Sequence, residues 1–83
     1  MKITLRYFAS LREALGPGEV IEIADGQTVA AVRDQLIASG EPHATALRRE
    51  RALRAALNQQ MCTETALLSE GAELAFFPPV TGG

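Results

Sequence analysis

The residues best suited to chemistry stand at the end of the chain, where Phe76-Phe77-Pro78-Pro79-Val80-Thr81-Gly82-Gly83 runs from an apolar pair through two prolines to two glycines. Pro78 and Pro79 fix φ and offer no backbone N–H, so a strand ending at Phe77 cannot extend its ladder and leaves the sheet as a stiff, extended rod. Gly82 and Gly83 carry no side chain, so the backbone and its terminal carboxylate can enter a slot closed to any other residue type. The chemistry such a tail suits is delivery of that carboxylate into a narrow site. The alternative is a frayed terminus.

The other reactive side chains have no company. His43 is the single histidine, with no acid or nucleophile spaced to partner it, and is expected to be an ordinary surface residue. Cys62 is the single cysteine, which excludes an internal disulfide. No neighbouring cation or helix terminus lowers its pKa, so a packing role is expected. One histidine and one cysteine make no ligand set for a structural zinc.

A tail of this kind works only if its root is held, which makes the elements before it the next question. Ile3, Leu5 and Tyr7 alternate with Lys2, Thr4 and Arg6, the period-two pattern of a half-buried strand. Phe8, Leu11 and Leu15 then fall at i, i+3 and i+7, which predicts a short helical turn over Ala9 to Leu15 packed on the sheet. Gly16-Pro17-Gly18 ends it. Glu19 to Ile23 reads as a second strand with Ile21 and Ile23 inward, closed by the turn Asp25-Gly26. Thr28 is the N-cap of the one substantial helix, with Val29, Val32 and Leu36 as its apolar stripe and Arg33, Asp34 and Gln35 facing water. Gly40 and Pro42 mark its end.

Glu41 to Arg51 fits either a loop or a short helix. Leu53, Ala55 and Leu57 alternate as a third strand that enters the turn Asn58-Gln59-Gln60, and Met61-Cys62 make a short fourth. Leu67 to Gly71 is a small turn before the last strand, Glu73 to Phe77, in which Leu74 and Phe76 point one way and Ala75 and Phe77 the other. The predicted fold is α+β: a mixed sheet with one main helix across one face, the other face partly open, and the first and last strands parallel at its centre. This is the β-grasp, ubiquitin-like architecture, in a single domain over 1–83 with a flexible tail at 80–83.

Composition narrows the partners. The net charge is −2, from 8 basic and 10 acidic residues, which argues against nucleic acid. Arg48, Arg49, Arg51 and Arg54 form the nearest approach to a basic patch, but Glu50 interrupts it and no aromatic residue stands by for base stacking, so a solvated surface is expected. No stretch approaches the ~20 apolar residues of a membrane span, and Met1 to Arg6 lacks a signal peptide's apolar run. A cytoplasmic protein is expected.

The ending Phe-Phe-Pro-Pro-Val-Thr-Gly-Gly, with Tyr7-Phe8-Ala9-Ser10-Leu11-Arg12-Glu13 and Ala55-Ala56-Leu57-Asn58-Gln59, resembles the small subunit of molybdopterin synthase, the MoaD family, over essentially the whole chain. The resemblance implies a sulfur carrier that binds no cofactor. An ATP-dependent, E1-like adenylyltransferase would join the Gly83 carboxylate to AMP, a sulfur donor would displace the AMP, and the resulting thiocarboxylate would give its sulfur to cyclic pyranopterin monophosphate. That substrate sits in a pocket of the large synthase subunit, the partner in a heterotetramer. Two transfers make the dithiolene of molybdopterin. Gly83 supplies the reacting carboxyl and Gly82 the access, while Pro78, Pro79, Val80 and Thr81 thread the slot. Phe77, Met61 and Arg12 match the family's contact surface. The competing readings are a carrier for thiazole or another sulfur-containing product, a ubiquitin-like protein modifier, and a binding module with an inert tail.

Overall fold

In the computed structural model, which describes residues 1–79, the chain forms β1 (Lys2–Tyr7), α1 (Ser10–Leu15), β2 (Gly18–Glu22), α2 (Val29–Ala38), α3 (His43–Ala46), β3 (Arg54–Leu57), β4 (Gln60–Cys62) and β5 (Glu73–Phe77). The five strands make one sheet in the order β2-β1-β5-β3-β4. β1 and β5 pair in parallel at its centre, with Leu5 opposite Leu74 and Tyr7 opposite Phe76. Every other pairing is antiparallel. The β-grasp expected from the hydrophobic pattern is the fold observed.

One face of the sheet carries the core. Ile3, Leu5 and Tyr7 of β1, Leu74 and Phe76 of β5, and Ala55 of β3 are buried against Leu11 of α1, Val29, Val32 and Leu36 of α2, and Leu47 just beyond α3. α2 begins where expected, because the Thr28 Oγ1 accepts the Ala31 N–H at 3.1 Å. Its first two free N–H groups are satisfied from the 63–68 loop, Val29 N–H donating to Ala66 O at 3.0 Å and Ala30 N–H to Glu64 O at 2.9 Å.

The β1–β2 hairpin needs glycine at 18 for a packing reason. A Cβ there would lie 2.2 Å from the Leu5 carbonyl oxygen across the ladder, so no other residue closes this pairing without moving backbone. The β3–β4 hairpin turns through Asn58 and Gln59 at φ 50° and 68°, the left-handed pair that matches the twist of a two-residue hairpin. Asn58 also ties the turn to the central strand: its Oδ1 accepts from Glu73 N–H at 3.0 Å, and its own N–H donates to Glu73 O at 2.8 Å.

Three expectations are corrected. Phe8 does not join the helical stripe of Leu11 and Leu15; it continues the alternation of β1, its N–H reaching Phe76 O at 3.3 Å, and is 42% exposed on the opposite face. The backbone then swings through Ala9 at φ 55° before α1 begins. Arg33 does not face water but is 3% exposed. Its Nε donates to Leu47 O at 2.7 Å, Nη1 to the Glu64 carboxylate at 2.7 Å, and Nη2 to Arg48 O at 2.6 Å and Arg51 O at 2.9 Å. A guanidinium has donors enough to collect all four acceptors at once.

His43, expected as an unpartnered surface residue, sits half-buried with its Nε2 2.7 Å from Glu19 Oε2, the oxygen that also accepts from the Tyr7 hydroxyl at 2.8 Å. The pairing joins residues 24 positions apart, so local spacing holds no trace of it. The segment 41–51 is a short helix, α3, followed by a turn. The arginines after it are tied down: Arg49 pairs with Asp34 and Glu64, Arg51 bonds to Ser10, and Arg48 Nη1 reaches Thr45 O at 2.8 Å.

Candidate functional site: the open sheet face at the root of the tail

The strand alternation that buries Ile3, Leu5 and Tyr7 must turn Lys2, Thr4 and Arg6 to the other face, and cross-strand registry carries that choice over the whole sheet. Arg6 stands opposite Gly18 on one side and Ala75 on the other; Ala75 stands opposite Ala56, and Ala56 opposite Met61. The next row holds Phe77 opposite Arg54. Among the described residues no helix covers this face. Met61 is 60% exposed, and Phe77 is half-buried.

Between Phe8 and Phe77 the face is hollowed into a pocket of about 300 Å³ floored by Ala56 and Ala75. The Arg6 guanidinium lies 5.9 Å from the centroid of the Phe8 ring and 3.5 Å from the Glu73 carboxylate, so the charge at the rim is paired and held against an aromatic wall. At this exposure each contact is worth about 0.5–1 kcal/mol or less. They orient Arg6 more than they stabilise the fold.

Phe77 and Met61, both expected at a contact surface, thus share one face. Pro78 and Pro79 continue from Phe77 half-buried, outside any strand. Arg12 is exposed on α1, whose Leu11 enters the core, and does not line the pocket. Val80, Thr81, Gly82 and Gly83 lie outside the described residues. Phe8, Arg6, Ala56 and Ala75 were not singled out from the sequence. For Phe8 the signal was present, since the alternation of β1 runs on through it.

The titratable groups of the described residues serve structure. Burial pushes the Glu19 carboxyl up, but the bonds from His43 and Tyr7 outweigh it and hold the group below the usual carboxylate range. Burial, with the bond to Glu19, pushes the Tyr7 phenol far up. Burial also raises the Cys62 thiol, which packs against the core as expected and is a poor nucleophile. Among the described residues no group of three or more His, Cys, Asp or Glu side chains is placed to hold a metal, and no helix is long and apolar enough to cross a membrane.

The fold and the residues that follow its last strand define a ubiquitin-like β-grasp domain with a Pro-Pro-Val-Thr-Gly-Gly ending. The chain belongs to the ThiS family, which matches residues 5–83, in the company of the molybdopterin synthase sulfur carrier subunits of the MoaD family. It is 41% identical to the molybdopterin synthase sulfur carrier subunit of Escherichia coli, over 98% of this chain and 99% of the relative. The corresponding protein of Haemophilus influenzae is 37% identical, again over 98% of this chain and 99% of that one. Among solved structures, SAMP1 from Haloferax volcanii superposes with a TM-score of 0.78 over 100% of both chains at 24% identity, a likeness of fold.

Proposed function

We propose that this chain is the sulfur carrier subunit of a molybdopterin synthase. The observation that carries the reading is the full-length identity to a protein of that name, within a family match that runs to Gly83. The carrier has no catalytic constellation of its own among the described residues, and the fold supplies what a carrier needs: a central, parallel-paired strand anchoring the tail, and an uncovered apolar face beside it. Gly83 receives AMP from an ATP-dependent, E1-like enzyme, with pyrophosphate leaving; a sulfur donor then displaces AMP and leaves a thiocarboxylate. The large synthase subunit takes the tail, with Gly82 granting access and Pro78, Pro79, Val80 and Thr81 spanning the entrance. There the thiocarboxylate sulfur bonds to a carbon of cyclic pyranopterin monophosphate in place of an oxygen substituent, and water then cleaves the acyl–sulfur bond, leaving the sulfur on the substrate and returning Gly83 to a carboxylate. Phe77 and Met61, with Phe8 beside them, form the docking face, and Arg12 contributes from α1.

The test is the intact mass of the chain, with fragmentation of the tail peptide, after incubation with ATP, the activating enzyme and a sulfur donor. Exchange of one oxygen for sulfur at Gly83 is expected, and the charged chain should convert cyclic pyranopterin monophosphate in the presence of the large subunit. Conjugates of higher mass in cell extract, joined through Gly83 to lysines, would instead make it a protein modifier. Sulfur on Gly83 that passes only to a thiazole precursor would move it to the other carrier pathway.

A further inference from the structure

The floor of the open-face pocket is chosen against local preference. Ala56 and Ala75 face each other in the β3–β5 register at the middle of the sheet, where strands favour β-branched and aromatic residues and alanine is depleted. Larger side chains stand around them, with Phe8 and Phe77 as walls and the Arg6–Glu73 pair at the rim, and the space left above the two methyls is about 300 Å³. We infer that this pocket is a socket for one uncharged, apolar side chain, aliphatic or aromatic, projecting from the large synthase subunit, and that Ala56 and Ala75 determine whether that subunit can seat.

The occupant follows from reach and from charge, and the inference rests on the carrier function proposed above. Four residues follow Pro79, and at about 3.3–3.6 Å each they extend no more than about 14 Å. A protein that closes on the Gly83 carboxyl therefore has its surface within that distance of Pro79, which is two residues from the Phe77 wall. The open pocket thus lies within reach of the protein that grips the tail. Two phenyl rings and two methyl groups give the pocket its apolar lining, and Gln59, the one other residue that lines it besides the Arg6–Glu73 pair, carries no charge. The charges at the rim, Arg6 and Glu73, already face each other at 3.5 Å, so a charged occupant would lose its water and gain no unpaired counter-ion.

The test is to fill the socket without harming the strands. Ala75→Val and Ala56→Val place a strand-favouring residue on the uncovered face, so each variant should melt at or above the temperature of the unsubstituted chain. Binding to the cognate large synthase subunit, measured by titration calorimetry, should weaken tenfold or more for each. Valine variants that bind within twofold of the unsubstituted chain, while Phe77→Ala binds weakly, would overturn the socket and leave the docking face standing. If the unsubstituted chain itself fails to bind the large subunit, the carrier reading falls and the socket's assigned occupant falls with it.

Discussion

Arg33→Ala should cost this domain a large part of its stability, although the residue stands on a helix position that a sequence pattern turns to solvent. The guanidinium holds the turn 47–51 to α2 through three carbonyls, those of Leu47, Arg48 and Arg51, and holds the 63–68 loop through Glu64. Truncation leaves the buried acceptor at Leu47 without a donor, a loss of about 1–3 kcal/mol, while water can reach the partly buried carbonyls of Arg48 and Arg51. Glu64 keeps Arg49 and so is not stranded, which holds the total near that figure and below the cost of about 3–5 kcal/mol for breaking a buried pair that leaves its partner charge uncompensated. A domain of this length is stable by only about 4–12 kcal/mol. The melting temperature should fall by about 4 °C or more, at about 4–8 °C per kcal/mol.

The assay is thermal and urea unfolding followed by circular dichroism, with two comparisons. Arg33→Met restores most of the volume but none of the donors, so it should lose nearly as much as Arg33→Ala. Arg49→Ala removes a side chain that is 42% exposed, and should cost about 1 kcal/mol or less. If Arg33→Ala proved no worse than Arg49→Ala, or Arg33→Met recovered full stability, the idea that hydrogen bonds to the turn carry the effect would be refuted.

Removing Gly82 and Gly83 should abolish sulfur transfer in a coupled synthase assay while the melting temperature stays within a degree or two, roughly, because glycines bury little apolar area. Phe77→Ala should weaken binding to the large subunit by about 2 kcal/mol if it anchors the docking face; unchanged affinity would remove it from that face. Glu19 and Glu64 both have carboxyls held below the ordinary value near 4.5, so the unfolded chain binds protons more readily than the folded one. Their contribution is therefore complete above the unfolded pKa and disappears as pH drops through the lower folded values. Urea midpoints should fall on acidification below about pH 4.5, and Glu64→Gln should flatten that fall. Tyr7 is the single tyrosine, and a phenol raised by burial and by Glu19 should give no phenolate absorbance in alkaline titration until the domain unfolds.

Much of the fold was legible because it is written in local periodicity. The alternation of Ile3, Leu5 and Tyr7, the stripe of Val29, Val32 and Leu36 behind Thr28, and the opposition of Phe76 and Phe77 each appear as proposed. The errors have a common cause. Phe8 satisfies both the strand period and the helix period, and only the path of the chain through Ala9 selects the first. Arg33 is placed correctly on its helix, but whether a polar face meets water depends on what packs there, and the 41–51 segment had no pattern strong enough to announce its turn.

By itself, the sequence determined which residues could enter a core, where the main helix begins, and that two prolines stop the ladder of the last strand ahead of two residues without side chains. These properties belong to single residues and near neighbours: the φ of proline, the missing Cβ of glycine, the spacing of apolar side chains. Only the tertiary structure decided which face of the sheet stays uncovered, that Phe8, Phe77, Ala56 and Ala75 meet around one pocket, and that His43, Glu19 and Tyr7 share one oxygen. Those relations join residues from β1, β2, α3, β3 and β5, and arise where parallel pairing of the first and last strands brings distant segments into register.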